Sequence, residues 1–354
     1  MLHQITEFVA LFLLFYVWHA SGITIGYHRL LSHRSFSLHS KLVEYFWVLA
    51  GYLAFEGSPI WWATMHRAHH RWVDTPLDPH SPRFGVANAH YGWLKGPTYP
   101  AHIDPATQSK DLLADPIYRF LEQNGDWTRA HILGFSIGFL VRLGIFLFFG
   151  WIPALASLLA GLAVLQIPLM LNVACHIPKL GYKTYATTDD SVNVWWVGIL
   201  ALGEGWHNNH HACPGSARSG MKFYEFDPSW LMICLMQKLG WVGRINAPTH
   251  EQLMAKFAVV NDAKEIKPIA SGAHTALTEL TTLPGRAQSA LSELGTAASS
   301  AQSAAFSELS AVASNAQSAF SELSTAAASN AQSALSELST TVANKTKKPA
   351  LSTR

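Results

Sequence analysis

The residues best suited to chemistry in this 354-residue chain are histidines, and they come in boxes. Glu204-Gly-Trp-His-Asn-Asn-His-His211 carries His207, His210 and His211 within five residues. Spacings of three and four place these rings near one face if the segment is helical. His66-Arg-Ala-His-His70 repeats the same H-x-x-H-H spacing far upstream and adds His66, His69 and His70. A third box, His28-Arg-Leu-Leu-Ser-His33, adds His28 and His33. Neutral imidazole binds transition metals through nitrogen. One such box is compatible with a wet polar loop; three, interleaved with apolar spans, point to metal.

Positioning them falls to membrane helices. The chain is 49% hydrophobic and only 14% charged, which is unusual for a soluble enzyme. A formal net charge of +2 gives no argument for nucleic acid. Cys175, Cys213 and Cys234 form no C-x-x-C pair and no disulfide framework. Residues 7–27 match the roughly 20 residues that cross a bilayer, and they deliver His28 and His33 to its boundary. His19 interrupts this span, so its ring is expected to face the interior or the interface. Gly22 and Gly26, four apart, allow close helix packing. Arg29 and Arg34 mark this boundary as cytoplasmic. In an ideal α-helix five residues turn by about 500°, leaving His28 and His33 about 140° apart. They then serve different metals, or the helix ends between them.

Residues 41–57 are apolar but short and contain Glu44 and Glu56. A crossing here would put the first two boxes on opposite sides, so a re-entrant or interfacial helix is expected. Residues 58–130 read as a cytoplasmic excursion rich in proline. In it, Asp74, Asp78 and His80 follow the second box. Carboxylates there orient ligand rings through the second N–H, or simply make a turn. Residues 131–150 and 151–171 form a transmembrane hairpin turning near Gly150. Arg142 inside it must snorkel or face a paired interior group. The hairpin returns the chain to the side of the boxes, ending in Asn172-Val-Ala-Cys-His176. Asn172 and His176 face the same way, and His176 becomes a ninth ligand candidate. The apolar run 194–202 is too short to span, and the aromatics of 223–230 read as an interfacial cap. The expected fold is an all-α integral membrane protein. About three transmembrane helices, plus interfacial ones, sit under a cytoplasmic helical cap.

Nine imidazoles are too many for one ion, since a catalytic zinc keeps three protein ligands and an open position. Nine plus a water suit two ions with four or five nitrogens each. Imidazole accepts Fe, Cu, Zn or Ni, so spacing does not choose the metal. The membrane setting implies an apolar substrate. Attack on an unactivated C–H bond needs activated oxygen, which points to iron.

GYHRLLSHRSF (26–36), HRAHH with the following DPHSP (66–82), NVACH (172–176) and LGEGWHNNHH (202–211) together resemble the membrane-bound fatty-acid desaturases, in their Δ9, stearoyl-CoA-desaturase-like branch. The resemblance covers roughly residues 7–247. It implies two iron ions held by His28, His33, His66, His69, His70, His176, His207, His210 and His211, with Asn172 holding a water. It implies Asp74, Asp78, Asp190 and Glu204 behind the ligands. Further, it implies O2-dependent insertion of a cis double bond into a saturated acyl chain. Trp61 and Trp62 are expected in a bent apolar tunnel beside the metals. The family usually carries one more span ahead of the first box. A missing hairpin partner, a different start or another subunit is the expected explanation.

No haem-binding His-Pro-Gly-Gly segment is present, so the two electrons are expected from a separate donor such as ferredoxin or cytochrome b5. The basic and amide contacts of the vertebrate acyl-CoA enzymes are not matched in 57–64 or at Leu94-Lys-Gly-Pro97. The substrate therefore stays open between acyl-CoA and acyl-lipid. A bacterial inner membrane or an ER-type membrane is the expected setting. Hydroxylation shares the first hydrogen abstraction, so a membrane di-iron hydroxylase is the alternative chemistry. A non-enzymatic haem or metal-binding membrane protein is the alternative class, but haem needs only one or two axial ligands.

Residues 1–248 form the expected desaturase domain and 249–285 a linker. In 286–354 a unit like Ala-Gln-Ser-Ala-x-Ser-Glu-Leu recurs from Ala287, Ala301, Ala316 and Ala331. That tail is expected to be disordered or an amphipathic helix.

Overall fold

The computed structural model describes residues 2–249 and 251–253. The tail of 286–354 and nearly all of the linker lie outside the described residues. Among the described residues, three helices are long and apolar enough to cross a membrane: Leu2–Ser32, Trp127–Phe149 and Trp151–Ala174. The first is α1 (Leu2–Ser21), continued by a π-helical segment, Gly22–Ser32. The other two, α8 (Trp127–Phe149) and α9 (Trp151–Ala174), form the hairpin. Gly150 joins them at φ +90°, a backbone conformation that L side chains rarely adopt. Both α1 and α8 pack on α9.

Between the first span and the hairpin lie α2 (Lys41–Tyr52), α3 (Pro59–Trp72), α4 (Val86–His90), α5 (Pro105–Gln108), α6 (Lys110–Leu113) and α7 (Pro116–Glu122). After it come α10 (Trp195–Leu200), α11 (His207–Ala212) and α12 (Pro228–Lys238). At twelve residues α2 is too short to span, in keeping with the non-spanning helix expected from the placement of the His boxes. The one sheet among the described residues is an antiparallel ribbon of β1 (Phe36–Leu38) and β2 (Val242–Ile245).

Several helix starts have local causes in the sequence. Ser58, Asp115, Asp126 and Asp227 each accept a hydrogen bond from a first-turn N–H, and Pro59, Pro116 and Pro228 occupy first helical positions. These caps fix where α3 begins and thus where the second box falls.

The core joins α2, α3, α12 and the π-helical segment through Tyr27, Trp47, Ile60, Ile233 and Met236. Close approach depends on glycine. A Cβ at Gly22 would sit 2.2 Å from Gly51 N and 2.6 Å from Ala50 C. Overpacking ordinarily costs about 1–3 kcal/mol, and here the obstacle is backbone. Gly22→Val is therefore expected to lower the melting temperature of the detergent-purified protein sharply. Gly144→Val, whose Cβ meets nothing within 4 Å, should leave it nearly unchanged. Equal melting temperatures for the two variants would contradict this packing.

Candidate metal centre

The nine imidazoles converge. His28, His33, His66, His70 and His210 form one cluster, and His69, His176, His207 and His211 a second. Within each, the candidate ligand nitrogens lie within 4.8 Å of one another. Helix geometry explains the partition. On α3, His66 and His70 are one turn apart and share the first cluster, while His69 points into the second. On α11, His207 and His211 share the second while His210 faces the first.

His28 and His33 share one cluster, which an α-helix would not allow. The segment is π-helical, with an i→i+5 bond from His33 N to His28 O at 3.0 Å. One turn of π-helix therefore stacks these two rings on the same side. Both the split between two metals and the helix end expected between them give way to this geometry.

Carboxylates hold the rings from behind. Asp78 lies 3.0 Å from His69 Nδ1, Asp74 3.1 Å from His176 Nδ1 and Glu204 2.8 Å from His28 Nδ1. Behind His211 stands Asp189, 3.2 Å from Nδ1. The carboxylate of Asp190 goes instead to Arg83 at 2.7 Å, and only its backbone N–H reaches Asp74. The Asp-Asp pair told that an acid was present, and the turn decides which one meets the ring. Arg29, read from sequence as a boundary charge, is buried. It bridges Glu204 at 2.9 Å and Asp227 at 3.0 Å. His80, just past Asp78, stacks on His69 with ring centroids 4.5 Å apart.

These contacts test whether metal fits. A ring that donates its Nδ1 proton to a carboxylate carries a bare lone pair at Nε2. His176 Nε2 and His211 Nε2 each lie 3.0 Å from His207 Nε2. His207 has one proton to offer at that atom, so one of these close pairs sets lone pair against lone pair. In the other cluster His28 Nε2 and His70 Nε2 lie 3.1 and 2.9 Å from His210 Nε2, which has at most one proton for its two neighbours. Cations at these two points resolve the repulsion.

Protonation offers no alternative. Burial, then repulsion from neighbouring rings, holds His33, His66, His70, His207, His210 and His211 well below the ordinary imidazole range. Burial alone would raise Asp74, but its bond with His176 outweighs that and brings it to about 2. Asp78 is likewise held below the carboxylate range by His69, against the effect of burial. These six rings are thus held neutral and these acids charged, the forms in which imidazole binds metal and a carboxylate holds a ring.

Two spaces adjoin the clusters. A cavity of about 290 Å³ is lined by Trp61, Trp62, His66, Trp93, Trp127 and Asn172, among others. A smaller one of about 50 Å³ runs beside His28, His69 and His207, against Ala20, Val164 and Ala201. Trp62 and Asn172 line both. The Trp62 indole stacks on His66 at 5.0 Å and donates to Glu56 at 3.1 Å. Neither Glu56 nor Phe55 stands out as a cavity residue from sequence, because nothing local marks a turn as the wall of a distant cavity.

The fatty acid desaturase family model matches residues 6–232. The chain belongs to that family. A stearoyl-lipid 9-desaturase acting at sn-1, from Anabaena variabilis, is 39% identical over 243 residues, covering 68% of this chain and 84% of the relative. Delta-9 acyl-lipid desaturase 2 of Arabidopsis thaliana is 36% identical over 240 residues, covering 68% and 75%. An acyl-CoA C20 Delta5-desaturase of Anemone leveillei is 36% identical over 252 residues, covering 70% and 77%. For a fatty acid desaturase, three apolar helices, two buried imidazole clusters and an adjoining apolar cavity form a coherent whole.

Substituting a residue behind a ligand ring typically costs 10–100-fold in metal affinity. Asp189→Asn should thus lose metal in a chelator challenge at about tenfold lower chelator concentration or less. Asp190→Asn should stay close to wild type, with metal content read by elemental mass spectrometry. If the two variants behave alike, the Asp189 contact does not govern the site.

Proposed function

We propose that this chain is an O2-dependent acyl-lipid desaturase that places a cis double bond at Δ9 of a saturated acyl chain. The observation that carries the reading is the pair of imidazole clusters opening on an apolar, tryptophan-lined cavity. The five rings of one cluster and the four of the other would each hold one iron, and Asn172, on the wall of both spaces, would hold a water beside them. Iron bound there supplies the oxidising power for C–H cleavage, drawn from O2 and two external electrons. One O2, two electrons and two protons combine with two substrate hydrogens to give the alkene and two waters.

The protein's own contribution is position. Trp62, braced by His66 on one side and Glu56 on the other, separates the two spaces where the chain must pass. A methylene pair held there meets the metals as a near-attack pair. The wall that continues the cavity outward, with Pro79, Asn88, Gly96, Pro97, Thr98 and Pro100, carries no lysine or arginine. The cation of Lys95, between Leu94 and Gly96, goes instead over the Tyr91 ring at 5.1 Å, and a lining so poor in charge favours a lipid-linked acyl chain over acyl-CoA. The named acyl-lipid 9-desaturases among the relatives support the same choice. Electrons come from a separate donor protein. Eight of the nine rings lie outside the three spans and His28 lies near the end of the first, and we assign that side to the cytoplasm.

Expression in a host unable to make monounsaturated fatty acids, with a suitable donor present, should yield lipids 2 Da lighter than their saturated parents. The new bond should map to Δ9. His69→Ala and His210→Ala should each abolish product while the protein stays in the membrane. A gain of 16 Da would instead mean hydroxylation, and turnover in either variant would remove that ring from the ligand set.

A further inference from the structure

Arg142 and His19 lie inside candidate spans, where an unpartnered ionisable side chain is costly. The metal centre uses neither, yet both are buried, at 8% and 0% exposure. Arg142 neither snorkels nor meets a carboxylate. Its guanidinium donates to three backbone carbonyls from three elements: Leu53 at 2.8 Å, Gly138 at 3.2 Å and Ser157 at 3.3 Å. Its charge also lies 4.8 Å from the Phe55 ring centre. His19 Nδ1 lies 2.8 Å from the carbonyl of Ala50.

Ala50 and Leu53 close α2, the helix that dips between the spans without crossing. The last carbonyls of a helix have no partner within it, and hydrocarbon offers no water. Here all four are accounted for. Gly51 O and Tyr52 O accept from Ala54 N and Phe55 N. His19 meets Ala50 O and Arg142 meets Leu53 O. A cation there also suits the negative end of the helix. Room for it is specific. A Cβ at Gly161 would lie 2.9 Å from one guanidinium nitrogen, and one at Gly138 3.1 Å from another.

Beyond Leu53 the chain becomes the wall of the cavity. Phe55, at φ +67°, Glu56 and Gly57 all line the 290 Å³ space. Phe55 packs on Phe135, with ring centres 5.7 Å apart. Glu56 accepts from Trp62, and Tyr27 donates to Gly57 O at 2.9 Å. A continuous path of contacts thus runs from Arg142 through Leu53 and the turn to Trp62 and on to His66.

We propose that Arg142, assisted by His19, is a positioning residue. It pins the turn Leu53–Gly57 against the acyl chain and so selects which methylene pair faces the metals. This rests on the desaturase reading above. The test uses the full chain in the same monounsaturate-deficient host, and also the purified protein for metal content. Arg142→Gln should keep wild-type metal content, since none of its contacts is a ligand ring. Its product should fall about a hundredfold, the loss expected from an error of an ångström in placement. The double bond should also spread to positions beside the wild-type one. Arg142→Lys, which restores a cationic donor, should recover most of the rate and the single position.

A merely destabilised protein loses product in proportion to folded protein, with the bond position unchanged. That outcome for Arg142→Gln, or a wild-type rate and position, overturns the proposal. If Arg142→Gln does not accumulate, His19→Leu serves: a smaller loss with the same spread supports the proposal, and an unshifted bond overturns it. A silent wild type would overturn the desaturase reading and this one together; an active wild type matched by Arg142→Gln overturns this one alone.

Discussion

The structure depends on lone pairs that point at each other. Nitrogens from three elements and one helix end are brought within hydrogen-bonding distance where too few protons are available to bond them. Such convergence is repulsive unless a cation lies between, so the arrangement suits a bound metal. Everything nearby serves to keep the rings from turning away. The carboxylates of Asp74, Asp78, Asp189 and Glu204 each fix one ring by its far nitrogen. Because those acids are themselves buried, they too need fixing. Glu204 is tied to Arg29, Asp74 accepts from Ser81 and the backbone of Asp190, and Asp78 accepts from the backbone of Asp74 and His80.

The π-helical segment is the clearest case of backbone geometry serving this end. A π-turn is less well packed than an α-turn and persists where function or packing selects it. Here eleven residues of it carry the first span into the centre. The wider turn sets His28 above His33 and turns Arg29 toward the buried Asp227 and Glu204. Gly22 and Gly26 lie in the same segment, and both face the backbone of α2 at distances no Cβ would tolerate comfortably. The close packing read from the four-residue glycine spacing thus has its partner in α2 and not in another span.

What was legible in the sequence, and what was not, divides along range. The His boxes, the three apolar spans and the tight hairpin at Gly150 are local patterns with local causes. The short apolar run 41–57 reads as non-spanning only because metal chemistry demands it, and α2 is indeed too short. The relation of His28 to His33 is misread because hydrophobic periodicity assumes 3.6 residues per turn. Asp189 and Asp190 differ only in which way a polar turn points them. Arg29 reads as a topology charge and Arg142 as a residue that snorkels or faces a paired interior group, but neither reading names the partner. Their true partners lie 175 to 198 residues away for Arg29 and 89 residues away for the Leu53 carbonyl. No window along the chain spans such separations.

Charge balance gives a last, independent argument about the occupant. Asp74, Asp78, Asp189, Glu204 and Asp227 are all buried, and among the described residues Arg29 is the one buried cation set between them. Against one guanidinium, these carboxylates leave a surplus of negative charge around the rings. Burying unpaired charge is costly against a folded protein's total stability of about 5–15 kcal/mol. Bound cations would offset the surplus. The placement of the acids bears on the chemistry. They stand behind the rings at Nδ1, so ions held by the ring nitrogens would have their counter-charge one ring's width away. A redox metal held in this way by neutral nitrogen would be favoured in its reduced state and so be a stronger oxidant when oxidised, which is what removal of hydrogen from an unactivated methylene demands.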